Sequence, residues 1–320
     1  MMQMFIEGTS FDATNSMGFT YVIDHIVVNG VGSKTYSTSG FNLDVTAMNN
    51  TLANNEQNNT ITASVSGNKL SWNTTVPLRL MVTATAKTGA DTAYAGFSLY
   101  QYPSNVKTVK LAPDFTPFVL TNVIDIEPGA RTVNTGVPVG AAIMVFMRNR
   151  NNEGGALSRS FFNQIESGGT YQLQFANAGQ NQYPTRAYVF SKALPPVPAA
   201  GFYMYRDGVM VWHNNCLPLD AKFITQSYME SDRPMAVTTG ITGFMYIPQD
   251  PANPNYGFSN YLCSGAGIAS NGKWRTNNTE VYQSTLGSIS LTVKSWVVGT
   301  KVMYIDCDPY DNYYRQSLKK

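Results

Sequence analysis

Apolar and polar residues alternate with a period of two through much of this chain. Thr20-Tyr21-Val22-Ile23, Ile61-Thr62-Ala63-Ser64-Val65, Tyr171-Gln172-Leu173-Gln174-Phe175 and Ile289-Ser290-Leu291-Thr292-Val293 are rich in β-branched and aromatic side chains. That period turns one side of an extended segment to a core and the other to water, so each reads as a half-buried strand. Between such runs lie Asn29-Gly30, Ser66-Gly67-Asn68, Ser167-Gly168-Gly169, Asp207-Gly208 and Asn271-Gly272, which offer the positive φ angles of tight hairpins. No stretch of about 12 or more residues keeps a helical period with caps at both ends. Short strands separated by turns predict an all-β chain of antiparallel sandwiches.

The pattern also recurs at long range. Met4-Phe5-Ile6-Glu7-Gly8-Thr9-Ser10-Phe11 aligns without a gap with Met204-Tyr205-Arg206-Asp207-Gly208-Val209-Met210-Val211, and the register holds at Gly18-Phe19 against Pro218-Leu219. It still holds at Thr38-Ser39-Gly40-Phe41 against Thr238-Thr239-Gly240-Ile241. A looser copy lies between, where Gly96-Phe97-Ser98-Leu99-Tyr100 answers Gly201-Phe202-Tyr203-Met204-Tyr205, Pro117-Phe118 answers Pro218-Leu219 and Asn134-Thr135-Gly136 answers Thr238-Thr239-Gly240. Endings recur as well. Leu78-Arg79-Leu80-Met81-Val82, Thr185-Arg186-Ala187-Tyr188-Val189 and Thr300-Lys301-Val302-Met303-Tyr304 each set a basic residue before strand-forming side chains. The recurrence predicts three tandem β-sandwich modules of the immunoglobulin or fibronectin type at 1–94, 95–199 and 200–320. Gly- and Pro-containing linkers, Thr88-Gly89-Ala90-Asp91 and Ala193 to Ala200, separate them.

Composition narrows the function. Only 13% of the residues are charged and the net charge is +2, so neutral Asn, Thr, Ser and Gly must dominate the surface. The 22 basic residues are scattered, which argues against nucleic acid as a partner. No basic leader precedes Glu7 and no apolar run approaches the roughly 18 residues of a membrane span, so the expected product is made in a cytoplasm and crosses no membrane. Cys216, Cys263 and Cys307 are odd in number, which excludes a full disulfide framework and predicts reduced, buried thiols.

The chemistry-bearing motifs are sparse. His25 and His213 have no Cys, Asp or Glu at metal-ligand spacing. Cys216 follows His213 by three residues, but neighbours on one strand seldom reach the geometry of a nucleophile and its base. Asp306-Cys307-Asp308-Pro309-Tyr310-Asp311 gathers three carboxylates yet lacks the Gly and the terminal Glu of a calcium loop, and reads as a solvated turn. Gly154-Gly155 and Gly168-Gly169 open no helix and so form no phosphate loop. The chain is therefore expected to be no enzyme, with no catalytic residue, metal or cofactor.

Surface recognition remains. The third module is longer by an insertion at 248–284 that holds Asn255-Tyr256-Gly257-Phe258-Ser259-Asn260-Tyr261 and Lys273-Trp274-Arg275. Tyr, Asn, Ser and Gly with a Trp-Arg pair is the composition of adaptable binding loops. Tyr256, Phe258, Tyr261, Trp274 and Arg275 are the candidate contact residues, facing a neighbouring subunit or a host receptor. The alternative is that these aromatics fill the module's own core.

The module openings carry a resemblance. A Gly-aromatic-x-x-Tyr strand, a hairpin, a second strand ending near Phe11-Asp12 or Trp212-His213, then Pro-Leu and a Val/Ile-rich strand, resembles a small β-rich domain family encoded beside the tail genes of tailed bacteriophages. That family opens with Gly-Leu-x-Val-x-Asn, then Gly, then a Phe-Asp pair. Gly8 with Phe11-Asp12 follows this form, whereas the second module has Lys110-Leu111-Ala112 there and the third has Val211-Trp212. The resemblance spans roughly the first 30 residues of each module, mostly generic strand and turn types. It implies a structural component of a phage tail, an assembly or attachment element of the tail tip or fibre base, located in the virion. The implied partners are other tail proteins, with copies of this chain repeated around the tail axis. The alternative is a receptor-binding adhesin that engages a host surface protein or glycan through the third module.

Overall fold

The computed structural model of the protein describes residues 20–37, 41–48, 61–86, 97–101, 106–111, 117–150, 158–159, 162–175, 183–201, 203–213, 215–238, 240–288, 295–297 and 301–313. The first recurring opening, Met4 to Phe11, and the alternating run Ile289 to Val293 lie outside these residues. What is described is nearly all strand, and every ladder is antiparallel. The all-β, sandwich-type reading of the sequence is therefore correct.

The first third of the chain forms β1 (Tyr21–Thr35), β2 (Phe41–Ala47), β3 (Ile61–Ser66) and β4 (Lys69–Ala86). β3 and β4 meet at a turn in which Gly67 takes a φ of 60°. β1 and β4 run the length of one four-stranded sheet that divides into two halves. Tyr21 to Val28 and Leu78 to Ala84 pair in an inner half of order β1–β4–β2, whereas Gly30 to Thr35 and Lys69 to Thr74 pair in an outer half of order β1–β4–β3. The ladder slips between Val28 and Gly30, opposite Pro77, which has no N–H to give. Asn29-Gly30 is thus a bulge inside a strand and not the hairpin turn that its sequence suggests.

A hairpin, β5 (Phe97–Gln101) and β6 (Val106–Leu111), precedes the second third. There follow β7 (Val119–Ile126), β8 (Thr132–Pro138), β9 (Ile143–Asn149), the short β10 (Ser158–Arg159), β11 (Asn163–Ser167), β12 (Thr170–Gln174) and β13 (Thr185–Ser191). The inner sheet runs β7–β13–β9 and the outer sheet β8–β12–β11.

The last third opens with a second hairpin, β14 (Tyr203–Arg206) and β15 (Val209–His213), turned by Asp207 and Gly208 at φ of 49° and 77°. Two successive positive φ values are the form that matches the twist of a two-residue hairpin. Then come β16 (Lys222–Phe223), β17 (Tyr228–Ser231), β18 (Met235–Thr238), β19 (Ile241–Asp250), β20 (Asn253–Ile268), β21 (Trp274–Ser288), β22 (Ser295–Val297), β23 (Met303–Asp306) and a single turn of helix, α1 (Asp308–Tyr313). The inner order is β16–β23–β18 and the outer order β17–β21–β20, with β19 and β22 added beyond β20.

The buried residues follow the same division. In β4, β13 and β23, successive side chains point to opposite faces. Leu80 and Val82, Ala187 and Val189, and Val302 and Tyr304 enter three separate apolar clusters, one in each third. The intervening Met81, Tyr188 and Met303 all enter a single central cluster with Phe118, Phe146 and Leu219. Each third thus has apolar contacts of its own and also shares a common core. The sheets cross the boundary placed near residue 199, because Val237 and Thr238 of β18 pair with Met147 and Phe146 of β9.

Backbone bonds tie the strand starts together at this core. Thr20 N–H donates to Leu219 O at 3.0 Å, Leu219 N–H to Phe118 O at 2.8 Å and Leu120 N–H to Leu217 O at 2.8 Å. Helix α1 seals one side with Tyr310, whose hydroxyl accepts from Asp220 N–H at 2.8 Å and donates to Pro218 O at 3.2 Å.

Truncating a residue of the shared core should be felt by the whole molecule. We predict that Met303→Ala costs about 2–5 kcal/mol, the range for emptying a packed Met site. Urea unfolding followed by circular dichroism and by tryptophan fluorescence should stay a single coincident transition. Two separated transitions would mean that the central cluster does not couple the thirds.

Candidate contact surface

β19, β20 and β21 build a twisted ribbon whose two faces differ. Phe244 and Tyr246 of β19 and Tyr261 of β20 point inward and join the cluster of Leu78, Leu80 and Val82 in the first third. Phe244 and Tyr261 lie opposite each other with ring centroids 5.1 Å apart. The intervening positions point outward. Ile247 pairs with Phe258 and Phe258 with Leu286, so three strands present one apolar row, with Met245 and Tyr256 beside it. Ile247 is 40% and Leu286 47% exposed, high values for large aliphatic side chains in strands.

Gly257 sets the geometry of this row. A Cβ built there would lie 2.2 Å from the Ile247 carbonyl oxygen, which is backbone and cannot swing aside. Only a residue without a side chain lets β20 approach β19 at the irregularity between Pro248 and Asp250.

The residues singled out from sequence divide accordingly. Tyr256 and Phe258 belong to the outward face. Tyr261 is core. Trp274 is half buried in the cluster of the last third, and the Arg148 guanidinium lies 4.9 Å from its ring. Arg275 donates to Glu230 Oε1 from Nε at 2.9 Å and from Nη2 at 2.5 Å, and stacks over Tyr228 at 4.6 Å. Its hydrogen bonds hold the Glu230 carboxyl below the usual range. The stretch 248–284 is therefore strand over most of its length and not the set of loops its composition suggests. Met245, Ile247 and Leu286 were missed, although Phe244-Met245-Tyr246-Ile247 is apolar at both parities and so announces a strand with two apolar faces.

Arg148 belongs to a buried ionic cluster. Asp311 of α1 accepts from Arg148 Nη2 at 3.2 Å, from Arg186 Nη1 at 3.1 Å and from the Tyr188 hydroxyl at 3.0 Å. Arg186 also grips Asp125 through two bonds of 2.7 and 2.9 Å, which draw that carboxyl below its usual range. Asp306 pairs with Lys222 at 2.6 Å. Two of the three C-terminal carboxylates are thus engaged by cations of the protein and do not converge. Among the described residues no three His, Cys, Asp or Glu side chains come together in a metal-binding arrangement.

The cysteines and histidines are equally committed. All three cysteines are buried, and none forms a disulfide. Burial pushes the Cys216 thiol up to about 12, and Cys307 likewise, so both stay protonated and poorly nucleophilic. The His213 ring turns away from Cys216: Nε2 donates to Pro195 O at 3.1 Å and Nδ1 accepts from Asn215 N–H at 3.3 Å. His25 Nε2 accepts from Arg79 Nη1 at 3.1 Å, and burial, then the Arg79 charge, lower its pKa to about 4.

The chain matches no protein-family model, no curated protein and no solved structure.

Two outcomes follow from these placements. We predict that Tyr261→Ala and Trp274→Ala each lower stability by about 2–5 kcal/mol, whereas Leu286→Ser changes it by no more than about 0.5 kcal/mol. Melting curves of the three variants decide this, and equal losses would contradict the two-faced ribbon. The second outcome concerns pH. His25 is neutral in the folded protein down to about 4 but protonates near 6.5 when unfolded. The unfolded chain therefore binds more protons between these values, and its stabilising contribution is present above 6.5 and lost as pH falls towards 4. The urea midpoint of His25→Gln should fall less steeply than that of the unaltered protein across this window, and parallel curves would refute the assignment.

Proposed function

We propose that this protein is a non-enzymatic structural component of a bacteriophage tail, an assembly or attachment element of the tail tip or fibre base. It is made in the host cytoplasm and resides in the virion, with copies repeated around the tail axis against other tail proteins. The observation that carries this reading is the row Ile247–Phe258–Leu286. Its inner face is already covered by the first third of the chain, so the apolar outer face is surplus to folding and is held rigid by three paired strands. A preformed apolar face is what a protein contact needs, because little ordering entropy remains to be lost on docking. The phage-tail identity rests on the resemblance at Gly8 with Phe11-Asp12 and at the strand ending near Trp212-His213, and the non-enzymatic reading is supported by thiols and imidazoles that are already engaged.

The test uses Ile247→Ser combined with Leu286→Ser. The double variant should fold normally yet incorporate poorly into tails, with a loss of roughly 2 kcal/mol or more at each central position. Quantitative immunoblotting of purified virions measures this. Normal virions that fail to adsorb to cells would favour the adhesin, and normal virions that adsorb normally would sink both readings.

A further inference from the structure

We infer that the chain is a fused trimer of one double-sheet unit, closed head to tail about a pseudo-threefold axis, and that the partner it fits is a homotrimer sharing that axis. The inference deepens the tail reading and rests on it. Equivalence of the units stands on two separate registers. The first is strand order. The inner strands run in the orders β1–β4–β2, β7–β13–β9 and β16–β23–β18, the last two joined in one six-stranded sheet, and the outer strands in the orders β1–β4–β3, β8–β12–β11 and β17–β21–β20. In each unit the last inner strand lies between the first and a middle one. The second register is the direction of side chains. With Leu80–Val82, Ala187–Val189 and Val302–Tyr304 aligned, Met81, Tyr188 and Met303 fall on the shared core and their neighbours on three private ones. A slip of one residue in any unit would exchange the two faces, so the agreement fixes the parity of the alignment.

The seams make the units a ring instead of a row. Between the first and second, Tyr21 bridges Pro117, next to Phe118 of the shared core. Between the second and third, Val119 bridges Pro218, and Arg148 of the inner sheet stacks on Trp274 of the outer sheet of the third. The third returns to the first. Ala221 N–H donates to Thr20 Oγ1 at 3.1 Å, and Thr46 Oγ1 donates to Lys301 O at 3.0 Å. Lys301 pairs with Asp44 at 2.5 Å and lines a cleft of about 500 Å³ with Ser64 and Val65 of β3, an outer strand of the first unit. At every seam the start of one unit's first inner strand thus meets the corresponding start in the next unit. A head-to-tail contact repeated until it meets its own start closes a ring, and ordinarily takes several copies of a chain to do so.

One chain here supplies what three would otherwise supply, and that determines the symmetry it can match. Three similar surfaces spaced around one axis can each meet one subunit of a homotrimer, which a chain without internal repeats could do only once. The units are not identical, since β9 pairs with β18 and β10 with β20 across the second seam alone. β19 and β22 extend the outer sheet of the third unit alone, so the apolar row beside them gives the ring one distinct side by which a neighbour that lacks threefold symmetry could hold it.

The test is the composition of the smallest assembly that contains this chain when virions are dissociated gently and weighed by native mass spectrometry. The expected mass is one copy of the chain with three copies of a single other polypeptide. A one-to-one complex, or the chain bound only to itself, overturns the homotrimer inference while leaving the tail role in place. Absence of the chain from virions overturns the tail role and the inference together.

Discussion

The structure depends on strands that are buried on both faces. β13 lies between β7 and β9 with almost every residue inaccessible, and β4 from Leu78 to Ala84 and β23 occupy the same position in their own sheets. Such a strand has no solvent side on which to place a charge. Where charges do occur, they must be paired, because an isolated ion taken out of water costs several kcal/mol even after relaxation. Arg148 meets this condition because α1 brings Asp311 to it and the sheet brings the Tyr188 hydroxyl, and Arg186 because it lies between Asp311 and Asp125. The short helix is therefore held by electrostatics at Asp311 and by Tyr310 and Tyr313 in the central cluster on either side of it. A single turn of helix could not persist by its own hydrogen bonds.

The same strands explain why the chain does not divide cleanly. A sandwich with one solvent-facing sheet could stand alone, but an inner sheet that serves two cores cannot lose either neighbour without exposing Met81, Tyr188 or Met303. The ribbon of β19 and β20 adds to this interlock by laying Phe244, Tyr246 and Tyr261 over the private core of the first third. The three thirds are thus linked by packing in the central cluster. Recurrence in the sequence describes how the units correspond, whereas burial describes a single object.

Much of this was legible in residue order, and the exceptions have physical causes. Alternation located β3 and β12, and Gly67, Gly168-Gly169, Asp207-Gly208 and Gly272 all adopt the positive φ that their turns need. Asn29-Gly30 misled because a glycine at a bulge and a glycine at a hairpin satisfy the same local requirement, and only the partner strand tells them apart. The stretch from Tyr256 to Ser264 misled for a different reason. Gly257, Ser259, Asn260 and Ser264 read as loop residues, yet they are buried in β20, where small side chains let neighbouring strands approach and Ser264 Oγ bonds to Thr238 O at 2.5 Å. Loop-like composition here reports close packing. Among the aromatics, Tyr256 and Tyr261 have the same chemistry and lie on the same strand, but their separation is odd, which sends them to opposite faces.

That parity connects the fold to its proposed use. A contact surface is costly to present on a loop, since the ordering entropy must be met on binding, and cheap to present on a sheet already fixed by another obligation. β19 and β20 are fixed because their inner face completes the first third's core, and their outer face inherits that rigidity. The extension that closes one seam of the ring therefore also breaks its symmetry, and the surface best suited to an asymmetric neighbour lies at the one place where the three units differ most. Loss of Gly257 would disturb both roles at once, because the close approach it permits sets the inner packing of Tyr246 and the outward row of Ile247 from the same pair of strands.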